Sequence, residues 1–145
     1  MVYFALALIT GALIPVQAAT NSVFSKSIGN ASMAGLMVFV VGLIGMIIFN
    51  LVSRTALPTS QQLSAAPLYS YLGGIIVATY VVMITLLVPR IGVGPAIALI
   101  VTGQIICAVA IDHFGLFNVA VRPADASRLI GVLLMIGGIY MVMKK

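Results

Sequence analysis

Charge is what this chain has least of. Two residues are acidic, seven are Lys or Arg and one is His, so 6% of the 145 residues are charged where a globular domain carries roughly a quarter. So few titratable groups leave little for catalysis. No metal triad, glycine-rich phosphate loop or Ser/His/Asp set with a common pocket can be assembled, and neither enzyme activity nor a metal or cofactor is expected. Cysteine is reduced to Cys107, which excludes an internal disulfide; with no Cys or His cluster around it, its expected role is a small buried hydrophobe. The net charge of +5 does not point to nucleic acid, because the basic residues stand singly in separate loops. The one adjacent pair, Lys144 and Lys145, suits anionic lipid headgroups.

What is present is apolar. The chain is 63% hydrophobic with a mean hydropathy of +1.29, the composition of a protein embedded in a bilayer. No Asp, Glu, Lys, Arg or His interrupts residues 1–25, 27–53, 55–89, 91–111 or 129–143. A helix crossing the hydrocarbon needs about 20 apolar residues, so each gap holds one span, the last by starting slightly earlier. The expected spans are 3–24, 31–52, 69–88, 92–111 and 124–143, within one transmembrane domain over 1–145. They must be helices, because isolated strands would leave backbone polar groups unpaired in lipid and the runs are too long for barrel strands. The fold class is therefore all-α integral membrane protein with five transmembrane helices. A cleaved signal peptide would need a basic leader, and "MVYFALALIT" has none.

Lysine and arginine in the short loops leave orientation balanced. Arg54, Arg122 and Arg128 fall on the side of the N-terminus, and Lys26, Arg90, Lys144 and Lys145 on the other. With neither side favoured, both orientations can be made, and two opposed copies can pair around an axis in the membrane plane, like the inverted repeats of many transporters. A single orientation decided by helix hydrophobicity or by a partner protein is the alternative.

Polar residues inside the spans are few and placed. "IPVQAATNS" puts Gln17 and Asn21 four residues apart, on one helical face, beside Pro15, which lacks an amide hydrogen and frees a carbonyl near Gly11. Kink and amides together make a polar concavity near mid-membrane, or the amides serve only as helix-to-helix hydrogen bonds. In the fourth span Gly94, Ala98 and Thr102 form a small-residue stripe for close helix approach, with Gly103 and Gln104 alongside and Pro95 in its first turn. Asp112 lies eight residues, about 12 Å of helix, beyond Gln104 and so at the rim. There, with His113, it is a gate or proton site, or an interfacial anchor paired with His113, Arg122 or lipid. In the third span Gly73 and Gly74 permit close contact, and Tyr80 is a cavity wall or a packing residue. "VPRIGVG" reads as a very short connection between the third and fourth spans, with Arg90 as an interfacial stop. Phe114, Leu116 and Phe117 suggest an interfacial segment or re-entrant turn.

"PVQAATNSVFSKSIGN", the Gly73–Gly74 pair, "PRIGVG" and above all "GQIICAVAIDHFGLF" together resemble the YdcZ-type family of bacterial inner-membrane proteins in the drug/metabolite transporter superfamily. The resemblance covers all five spans. It implies a multi-pass inner-membrane small-molecule transporter, an exporter related to the small multidrug resistance proteins and working as an antiparallel pair of half-size units. The partner is a second copy in the opposite orientation or a related, oppositely oriented subunit. Pro15, Gln17 and Asn21 fall in the family's polar feature, and Gly103, Gln104, Asp112, His113, Phe114 and Gly115 in its most distinctive motif. Small multidrug resistance proteins carry a proton-exchanging glutamate in the first helix; this chain has Gln17 in that region and no acid in its first span. An amide offers both a donor and an acceptor but cannot alternate between charge states. Neutral or zwitterionic cargo is expected, bound by Gln17, Asn21, Tyr80 and Gln104 and moved by alternating access. A structural or accessory subunit and a small channel are the other readings.

Overall fold

A computed structural model describes residues 1–144. Five helices in it are long and apolar enough to cross a membrane, and no strand occurs among the described residues. The chain divides into two compact units, Met1–Arg90 and Ile91–Lys145.

The first unit begins with α1, Val2–Ile28, which runs unbroken through Pro15. At 27 residues it is about 40 Å long, well beyond the expected 3–24 and longer than the hydrocarbon is thick. Lys26 does not end the helix; a cation in the last turn faces the negative end of the helix dipole and favours continuation. Gly29 ends it, with φ 70° and ψ 11° in the left-handed region that glycine enters without a Cβ penalty. Asn30 is extended, and its side-chain oxygen accepts from the Met33 N–H at 2.9 Å, capping α2, Ala31–Val52. Two residues thus reverse the chain.

The loop after α2 contains a short helix, α3, Ser60–Ala65, fixed by a capping box in which Thr59 and Gln62 each accept the other's backbone N–H. The Tyr71 hydroxyl donates to the Leu63 carbonyl at 2.7 Å and ties α3 to the turn that opens α4. Helix α4 spans Leu72–Ile91. Here the expectation of a loop at "VPRIGVG" is corrected: Pro89 and Arg90 lie inside the helix, and only Gly92 separates α4 from the next helix. Proline removes one backbone donor, but close to a helix end that loss affects a single carbonyl. The Arg90 guanidinium donates to the Leu86 carbonyl at 2.9 Å in the same last turn. The buried residues of this unit are small or polar on α1 and α2, with Ala18, Asn21, Ser22, Ala34 and Gly35, and branched on α4, with Val81, Ile84, Thr85 and Val88. A Cβ at Gly35 would lie 3.2 Å from Val82 Cγ2, so α2 and α4 approach closely at that glycine.

The second unit is a hairpin of α5, Val93–Phe114, and α6, Ala126–Met143, which pack on each other. Pro95 is the third residue of α5, where a missing N–H costs no helical bond. Cys107 is exposed on α5, contrary to its expected burial; in a bilayer, a small apolar thiol faces lipid as readily as protein.

Candidate functional site

The two amides of α1 face different grooves. Gln17 is exposed and lines one of about 370 Å³ with Val38, Phe39, Gly42, Leu43 and Met46 of α2 and Val77 and Val81 of α4. Asn21 is buried and lines another of about 480 Å³ between α1 and α2, with Thr20, Phe24, Met37, Val38 and Val41. Val38 borders both, so the single concavity expected from the four-residue spacing is replaced by two spaces. Helical spacing fixes a shared face, but a facing side chain can still divide it.

Neither groove is lined by a charged residue. The Thr20 hydroxyl is already committed to the Val16 and Gln17 carbonyls at 3.1 and 2.9 Å, an internal arrangement that leaves the amides as the principal polar groups at these surfaces. The side-chain nitrogen of Asn21 is buried without a hydrogen-bond partner among the described residues. Such a donor ordinarily costs about 1–3 kcal/mol.

Tyr80 is half-buried on α4 and does not line the Gln17 groove; its neighbours Val77 and Val81 do. Gln104 is exposed on α5 in the second unit. The glycines expected to mediate close packing are open, because a Cβ at Gly73, Gly74, Gly94 or Gly103 would meet no heavy atom within 4 Å. Gly35 of α2 is a glycine at a tight approach, with Val82 against it.

At the rim of the second unit, Asp112 accepts from the Arg128 guanidinium at 3.1 Å. That guanidinium also donates to the Arg122 carbonyl at 3.1 Å, and the Arg122 N–H donates to the Asp112 carbonyl at 2.8 Å. His113 Nδ1 accepts from the Ala124 N–H at 3.0 Å, with the ring edge-on to Phe114. Asp125 caps α6 by accepting from the Arg128 N–H at 2.8 Å. The result is a clasp that closes the α5–α6 hairpin. Its anchor for Asp112 is Arg128, in place of the expected His113, Arg122 or lipid. Gly115 makes the turn possible: its φ is 60°, and a Cβ there would lie 2.7 Å from Val121 Cγ2.

Five apolar helices and grooves free of charged lining residues define an all-α integral membrane protein. The model of the family described as "Putative inner membrane exporter, YdcZ" matches residues 2–141, and the chain belongs to that family. It is a multi-pass inner-membrane protein of a transporter family, as the resemblance implied. No curated protein and no solved structure matches it.

Proposed function

We propose that the protein exports a small neutral or zwitterionic molecule across the inner membrane by alternating access, as one half of an antiparallel dimer. The observation that supports this most is Gln17, exposed on a groove whose other lining residues are apolar side chains and Gly42. An amide in such a setting offers a polar group of the cargo both a donor and an acceptor while the apolar wall takes its hydrophobic body, and a charged cargo would find no counter-ion there. The groove is open at the surface of one chain, and a second copy in the opposite orientation would complete it into a chamber. Balanced loop charges support equal access to both orientations. With identical subunits, the inward-open and outward-open forms exchange by swapping the roles of the two chains, which keeps them close in energy without cargo.

A counterflow screen in proteoliposomes, across neutral, cationic and anionic metabolites with and without a proton gradient, tests the transport reading. Saturable exchange of neutral or zwitterionic solutes is expected; no exchange of any class would reduce the protein to an accessory subunit, and unsaturable conduction would make it a channel. Orientation is tested separately, by labelling a single cysteine introduced at Leu57, exposed in the loop after α2, in a Cys107→Ser background. It is expected to label from both sides of the membrane, and one-sided labelling would remove the antiparallel homodimer.

A further inference from the structure

The segment 115–125 between α5 and α6 is apolar where a water-facing loop would be polar. Leu116 is 46% exposed, Phe117 65%, Val119 45% and Val121 63%, all outside the two spanning helices. Phe117 and Asn118 hold φ of 58° and 65°, a left-handed conformation that side chains beyond glycine enter at a cost. The backbone is thus bent so as to leave these apolar side chains outward.

Next to them stands one cation without an internal anion. Both backbone groups of Arg122 are bonded, its N–H to the Asp112 carbonyl and its carbonyl to Arg128, so the residue is fixed at the mouth of the hairpin. Its guanidinium makes no hydrogen bond or ion pair among the described residues. The chain has two acids in all, and both are engaged nearby, Asp112 by Arg128 and Asp125 by the start of α6. Among the described residues neither carboxylate pairs with Arg122. The clasp therefore fixes this arginine beside an apolar surface.

We infer that the 115–125 loop lies in the membrane interface as a lipid site, its apolar side chains among the upper acyl carbons and Arg122 on the phosphate of an anionic phospholipid. Guanidinium geometry suits a phosphate, which it can engage with two parallel N–H donors. Connection to a spanning helix at each end holds the loop at the depth where headgroups are found. The site is independent of cargo and of the dimer.

The protein contains no tryptophan, so Phe117→Trp gives a single reporter in the full chain. In vesicles of phosphatidylcholine with one third phosphatidylglycerol, lipids brominated near the headgroup end of their chains should quench it and aqueous acrylamide should not. Brominated phosphatidylglycerol should associate about fivefold more strongly than brominated phosphatidylcholine, the preference one arginine near the surface supplies. That preference should vanish in Arg122→Gln and largely return in Arg122→Lys, while quenching by brominated phosphatidylcholine persists throughout. Quenching by acrylamide alone would put the loop in water and overturn the proposal. Protection from both quenchers would mean that protein covers the loop, and would overturn it equally. Equal quenching by the two brominated lipids with Arg122 intact would eliminate the headgroup site.

Discussion

The two units treat their polar residues in opposite ways. In the first, Gln17 stands uncovered on a groove at helix depth and the Asn21 nitrogen is buried with no partner. In the second, Asp112, His113, Asp125 and Arg128 at the rim are bonded to one another or to the nearby backbone. Where polarity is structural, the fold spends its donors and acceptors on itself. Polarity left open in an apolar wall is available to something else. The difference separates a rim whose polar groups are closed on themselves from a helix pair whose amides are left open.

The contrast breaks most visibly at Gly115. Gly115→Ala puts a methyl group against Val121 in a left-handed backbone, and should destabilise the hairpin by about 2 kcal/mol. A fall in the thermal midpoint of the detergent-solubilised protein checks this, and an unchanged midpoint would mean that the clasp is loose. Gln17→Leu comes next, with cargo binding expected to weaken about tenfold, roughly 1.4 kcal/mol, and with assembly unaltered by crosslinking. If cargo binds equally well, the open amide is not a site and the contrast between the units fails. Asn21→Leu removes a buried donor that has no partner and should raise stability by about 1 kcal/mol. Destabilisation would show that this amide is satisfied in the working protein, by water or by a partner chain. The smallest effect belongs to Asp112→Asn. With both side chains of the Asp112–Arg128 pair about a third exposed, the stability loss should stay below about 1 kcal/mol. Exchange should keep its pH response in this variant; losing that response would move Asp112 from the clasp to proton coupling.

Much of the architecture was legible in the sequence, because the spacing of a handful of charges is a direct record of hydrocarbon thickness. The second span, expected over 31–52, coincides with α2 to the residue. The first runs long because glycine, and not lysine, stops a helix. Pro89, in the stretch that reads as a connection, lies inside α4, because a single lost donor near a helix end is tolerated. The grooves were less legible. Spacing placed Gln17 and Asn21 on one face, but the packing of α2 puts them on different grooves, both bordered by Val38. The Asp112–Arg128 pair was out of reach for a different reason: its members are sixteen positions apart, and they meet only because Gly115, Phe117 and Asn118 take left-handed conformations.

The reversal at Gly29 and Asn30 matters for biogenesis. Because two residues join α1 to α2, and the two helices pack on each other, their pairing needs nothing from the remainder of the chain. This first hairpin can enter lipid while the ribosome is still making α4. The groove that carries Asn21, lined by α1 and α2 alone, is then shaped during synthesis.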